Sequence, residues 1–295
     1  MKKMAVILAA AFVSLMCAAS EALSLHAQGV DCASQPKRIV RDVVYDGMIR
    51  DSGLGDLYLP KSITPETPVV LAIHGGGWSS GDRFSWSGVA EFFWQSLGCV
   101  VFNIEYRLSG SENRWPACGD DCVKAANWLF SGDFRKRTGF TPRAIYICGG
   151  SSGGHLSLWT LVNLPRERVA GCISISSIGD PVPDFKMNKG RYVRLFGEDV
   201  SAKSLELMNP ISRIKSRMAP VLCTHTTEDP VVPISSHKAF AEAYRAVGNQ
   251  CAFYEYPSDK RLIGHCIWIP GSTPHRLIPE IEAQITAFMK KTVRN

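Results

Sequence analysis

A mostly parallel α/β sheet, with helices on both faces and an antiparallel hairpin at one edge, is the fold class this 295-residue sequence predicts. Short, continuous apolar runs occur at residues 69–73, 99–104, 144–148, 169–175 and 221–223. Such runs mark strands covered on both sides, as in parallel sheets. Helix-period patterns alternate with these runs from residue 69 to the end, the order of a doubly wound domain.

The elements follow in chain order. Residues 39–46 and 54–59 alternate around Asp51-Ser52-Gly53 and read as the hairpin. Val89, Phe92, Phe93 and Leu97 share a helix face that Gly98 ends. Val123, Ala126, Asn127 and Phe130 mark a second helix, and Leu156, Leu158 and Leu161 another. Phe240, Ala243, Tyr244 and Val247 mark a helix opened near Pro233 and closed by Gly248. Residues 251–256 read as a strand, and Ile278, Ile281, Ile285 and Phe288 as a final helix. Residues 177–208 break the rhythm: they form either an insertion that covers a substrate pocket or a surface excursion.

The amino terminus has the pattern of a signal peptide over residues 1–22. Lys2 and Lys3 precede an almost wholly apolar stretch, Met4 to Cys17, and small residues follow at Ala18, Ala19, Ser20 and Ala22. That stretch is too short to span a bilayer comfortably. The expectation is a secreted or periplasmic protein without stable membrane insertion, with residues 23–295 as a single domain. The formal charge is +6, and the basic residues are scattered apart from Arg135, Lys136 and Arg137. Nucleic-acid binding needs a concentrated patch, so it is not expected. Cys99, Cys148, Cys172 and Cys223 sit in apolar runs and read as packing residues. Cys118 and Cys122 could pair after export. No pair of Cys-x-x-Cys knuckles suggests structural zinc, and no metal or organic cofactor is expected. Oligomeric state is not legible.

Four motifs carry chemistry. Gly149-Gly150-Ser151-Ser152-Gly153-Gly154-His155 stands between an apolar strand and a helix. A nucleophile elbow needs that context, with small residues two before and two after the serine. Spacing alone allows Ser151 or Ser152. His74-Gly75-Gly76-Gly77-Trp78 follows the strand at 69–73. Its Gly76 and Gly77 amides, with that of Ser152, can face a developing oxyanion, while His74 braces the loop beside Trp78. Asp229, in Glu228-Asp229-Pro230, follows the strand at 221–223, and Glu228 competes for its role. His265 follows the last strand, so Ser, Asp and His come in the chain order such sites use. His275 beside Pro274 is the runner-up; His225 comes too early, and His237 reads as a helix-surface residue.

These motifs resemble the α/β-hydrolase superfamily over roughly residues 66–290. Within it, they look like esterases with a His-Gly-Gly-Gly-Trp loop: the hormone-sensitive-lipase-like and bacterial feruloyl-esterase-like groups. The family's Gly-x-Ser-Ala-Gly-Gly-His stretch matches residues 149–155 and implies Ser151 as nucleophile. Its Asp-Tyr-Arg-Leu matches Glu105-Tyr106-Arg107-Leu108, and its helix-opening aspartate matches Asp121. Its His-Gly-x-x-Asp-x-x-Val-Pro matches His225 to Pro233, with Thr226 in place of glycine. The resemblance implies a serine-dependent carboxylic-ester hydrolase using Ser151, Asp229 and His265 without metal or cofactor. Its expected substrates are small-molecule or polysaccharide-linked esters. Kynurenine formamidases look similar and offer an amide-hydrolysing alternative, and a non-catalytic binding protein on the same scaffold is the other. Trp78, Trp115, Phe185 and Tyr192 are candidates to line an aromatic pocket.

Overall fold

The computed structural model describes residues 38–257, 264–265, 267–269 and 271–293. The leader reading at 1–22 lies outside them. Among the described residues, eight strands form one sheet in the order β1-β2-β4-β3-β5-β6-β7-β8. These are β1 (Arg38–Val44), β2 (Leu54–Leu59), β3 (Val69–Ile73), β4 (Val100–Ile104), β5 (Ile145–Gly150), β6 (Val169–Ile175), β7 (Val221–Thr226) and β8 (Cys251–Tyr256). β1 and β2 are antiparallel to their neighbours, and β3 to β8 run parallel. The hairpin thus sits at one edge, as expected.

Why the central strands are apolar throughout is visible in the two cores. Leu71, Phe102 and Ile147 point to one face, while Val70, Val101 and Cys148 point to the other. The first face is covered by α2 (Ala117–Trp128), α3 (Gly132–Thr138), α4 (Ser152–Asn163) and α8 (Ile234–Ala246). The second is covered by α1 (Ser87–Glu91), which continues as a π-helical turn through Phe92–Ser96, and by α9 (Pro279–Val293). Burial on both sides requires apolar residues at every position of a strand, not every second one.

Helix α3 was not anticipated from the sequence. It is short, capped by the Ser131 hydroxyl on the Phe134 amide and ended by left-handed Gly139, and it carries the basic run Arg135-Lys136-Arg137. Residues 177–208 hold three short helices, α5 (Pro181–Met187), α6 (Lys189–Phe196) and α7 (Ala202–Met208). Cys118 and Cys122 are buried free thiols one helical turn apart on α2 and form no disulfide. Cys99, Cys148, Cys172 and Cys223 are buried, as the sequence suggests. Among the described residues no helix is long and apolar enough to cross a membrane, and no cluster of three His, Cys, Asp or Glu side chains is placed to hold a metal ion.

Candidate active site

The carboxyl ends of the parallel strands carry the motifs to one edge, where open α/β sheets place their sites. β5 ends in a sharp turn that leaves Ser151 at φ 56°, ψ −126° before α4 begins. A non-glycine residue in this region is strained, and the turn exposes its side chain. The turn closes because its neighbours are small. A Cβ at Gly153 would overlap the carbonyls of Ile73 and His74, which come from the adjoining β3 loop.

The serine Oγ lies 2.9 Å from Nε2 of His265. Nδ1 of His265 lies 2.8 and 3.0 Å from the two carboxylate oxygens of Asp229. One tautomer satisfies both contacts: Nδ1–H donates to Asp229, and Nε2 accepts the Ser151 hydroxyl. Ser152 is fully buried in the first turn of α4, so the geometry brings Ser151 and not Ser152 to the imidazole. Glu228 is exposed, whereas Asp229 is buried. His275, the runner-up base, lies in the loop before α9, stacked on Trp268 at 5.0 Å.

Burial raises the cost of a charged Asp229, yet its carboxyl is held well below the usual range by donors from His225, His265 and backbone amides. The amides of Val231 and Val232 donate to Oδ1 at 2.8 and 3.0 Å. His225 adds Nε2–H, 3.2 Å from Oδ2. In chain order His225 comes too early to be the base; the structure places it against the acid instead. His237, read as a surface residue, is in fact fully buried against His225. Thr226, which replaces the family's glycine, donates its hydroxyl to the carbonyl of Gly264 and so ties β7 to the His265 loop.

The glycine loop after β3 stands beside the serine. Gly76 has φ +123°, and a Cβ there would overlap the carbonyl of Ser80. Among the described residues, no hydrogen bond draws on the amides of Gly76, Gly77 or Ser152, so these donors are available to a ligand. His74 is buried: Nδ1–H donates to the Gly75 carbonyl at 2.7 Å, and Nε2 lies 3.4 Å from Glu105. Tyr106 stacks on that ring at 4.3 Å and donates to the His74 carbonyl. Trp78 donates through Nε1 to Nδ1 of His155, whose Nε2–H donates to the carbonyl of Met208 at the end of α7.

A cavity of about 400 Å³ opens over Ser151, bounded by the glycine loop, Trp86, Val231, Trp268 and His275. The aromatic walls are therefore Trp86 and Trp268. Trp78, Trp115 and Tyr192 are buried core residues, with Phe185 packed against Tyr192, and none of the four lines this cavity. Residues 177–208 do not line it either; they brace its wall, because Asn188 and Arg191 donate to the Val231 carbonyl. Arg191, Asn188 and Tyr192 also hold the buried Asp184, whose carboxyl burial pushes up.

Solved esterases share this fold. A truncated carbohydrate esterase from gut microbiota superposes with a TM-score of 0.73 at 20% identity, over 90% of this chain and 99% of that one. Esterase B from Lactobacillus Rhamnosis (HN001) gives 0.71 at 18% identity, over 100% and 97%.

The chain has the α/β-hydrolase fold.

On this α/β-hydrolase fold, the BD-FAE family model matches residues 55–173, the part holding the glycine loop and the elbow. Carboxylesterase NlhH of Mycobacterium tuberculosis is 34% identical over 127 residues, 43% of this chain and 38% of that protein. The probable carboxylic ester hydrolase LipM of the same species is 26% identical over 242 residues, 74% of this chain and 56% of that protein. The matches thus span roughly 40% to a little over half of these relatives' lengths.

Proposed function

We propose that this protein is a serine-dependent carboxylic-ester hydrolase. The hydrogen-bonded series Ser151–His265–Asp229, beside amides that have no acceptor among the described residues, carries this reading. Ser151 Oγ attacks the ester carbonyl while Nε2 of His265 takes its proton. Asp229 keeps the imidazole in the required tautomer and stabilises the imidazolium that forms. The amides of Gly76, Gly77 and Ser152 bind the oxyanion. His265 returns the proton to the departing alcohol, leaving an acyl-serine. Water then enters, gives its proton to His265, and releases the acid as Ser151 regains its hydrogen.

The cavity of about 400 Å³, closed by two indoles, suits a short acyl group. The carbohydrate esterase among the structural neighbours supports a sugar-linked ester as the natural substrate. Export is part of the proposal and rests on the composition of residues 1–22.

The test is Ser151→Ala. It should abolish hydrolysis of 4-nitrophenyl acetate and butyrate and labelling by a fluorophosphonate. Labelling that persists on Ser152 would assign the wrong nucleophile, and undiminished hydrolysis would remove the proposal.

A further inference from the structure

Two fully buried histidines stand behind the acid of the site. His225 lies on β7, four residues before Asp229, and His237 lies on α8. Their Nδ1 atoms are 3.1 Å apart. Nε2 of His225 lies 3.1 Å from the carbonyl of Val232 and 3.2 Å from Oδ2 of Asp229. The same Oδ2 receives Nδ1–H of His265 at 2.8 Å. Two imidazoles thus share one carboxylate oxygen.

Proton placement follows from these partners. Both atoms facing His225 Nε2 are oxygen acceptors, so this nitrogen must carry a proton. A neutral His225 then has a lone pair on Nδ1, and the group that meets it is Nδ1 of His237, which must donate. The reverse tautomer would aim an Nε2 lone pair at a carboxylate and leave a buried repulsion. His237 packs against Phe253 at 5.2 Å, and Nε2 of His237 has no hydrogen-bond partner among the described residues. Burial and the neighbouring His225 hold it well below the ordinary histidine range, so it stays neutral.

We propose that His225 and His237 are a positioning pair: His237 keeps the ring proton of His225 on Nε2, and His225 holds the Asp229 carboxylate in line with His265. The pair touches neither the serine nor the cavity. It acts through the acid, which among the described residues also accepts from His265 and from the Val231 and Val232 amides. Without the side donor, the carboxylate can rotate about its last bond and lose the alignment that orders His265. Small misplacements of this kind lower turnover more than binding. The inference rests on the hydrolase reading for its kinetic consequence but not for its tautomer.

The test uses the full protein with ¹⁵N-labelled histidine and four variants. Ring nitrogen spectra should show His225 protonated at Nε2 and hydrogen-bonded but unprotonated at Nδ1. This readout works equally in Ser151→Ala, so it survives failure of the ester-hydrolase proposal. His237→Leu should lower kcat about tenfold with KM within about twofold, whereas His237→Asn, which can still donate, should recover most of kcat. His225→Leu should lower kcat at least as far as His237→Leu. The proposal is overturned if the His225 proton sits on Nδ1, or if folded His237→Leu turns over as fast as wild type. Equal losses in His237→Leu and His237→Asn, matched by equal falls in melting temperature, would also overturn it as mere packing.

Discussion

Trp86 and Trp268 meet edge to face, ring centroids 4.9 Å apart, directly over Gly150. A Cβ at Gly150 would come within 2.6 Å of both indoles. The two rings, one from the start of α1 and one from the loop after β8, close the space beside the serine. Trp86 is core, but Trp268 is half-buried and can be cut back with less harm. Trp268→Ala should shift the acyl-length optimum upward: hexanoyl and octanoyl esters gain relative to acetyl. A series of 4-nitrophenyl esters from two to eight carbons checks this; an unchanged profile would place the acyl group elsewhere.

Gly76 offers a cleaner probe of the amide loop. Its φ of +123° and its contact with the Ser80 carbonyl leave no room for a side chain. Gly76→Ala should displace the loop and lower kcat by about 100- to 1,000-fold, the range for losing one oxyanion donor. Fluorophosphonate reactivity and the melting temperature, measured in parallel, separate lost oxyanion binding from lost folding.

His155 predicts a pH dependence of stability. Burial pushes its imidazole down to about 4, against an ordinary value of 6.5. Above pH 6.5 it is neutral in both folded and unfolded chains. As pH falls from 6.5 to about 4, the unfolded chain takes a proton that the folded one refuses, and stability drops by about 3 kcal/mol. Below that range, both states are protonated and this loss levels off. His155→Gln should be less stable at pH 7, through the lost Trp78 and Met208 hydrogen bonds, but should show a shallower decline toward pH 4. Urea unfolding at pH 7, 5.5 and 4 tests the slopes.

Asp121 is buried in α2 and accepts from the backbone amide of Arg107 and from its guanidinium at 2.7 to 3.2 Å. Asp121→Ala would leave a guanidinium and an amide without their acceptor. The expected loss is about 3 kcal/mol, below the top of the range for buried pairs because Arg107 is partly exposed. Urea unfolding at pH 7 measures it; a change under about 1 kcal/mol would show that water replaces the carboxylate.

Much of this molecule is legible in its residues. The buried strands announce themselves because an apolar run covered on both faces has no competing pattern to imitate. The glycine loop and the elbow are legible for a related reason: backbone approaches this close admit only glycine or another small residue. Helix α3 escaped because seven residues with three consecutive basic side chains look like a solvated loop. His225, His237, Trp86 and Trp268 escaped because their roles come from contacts between distant segments, which no local spacing records.

By itself, the sequence determined the strand and helix order, the edge hairpin, and the small-residue turns that bring Ser151, Asp229 and His265 to one end of the sheet. Periodicity and steric size are local properties, and a chain carries them openly. Only the tertiary structure set Ser151 rather than Ser152 within reach of His265, put Asp229 rather than Glu228 behind that imidazole, left Cys118 and Cys122 as thiols, and set two indoles around the cavity. Each of those outcomes depends on a distance between side chains far apart along the chain, and such distances exist only after the sheet has brought its strand ends together.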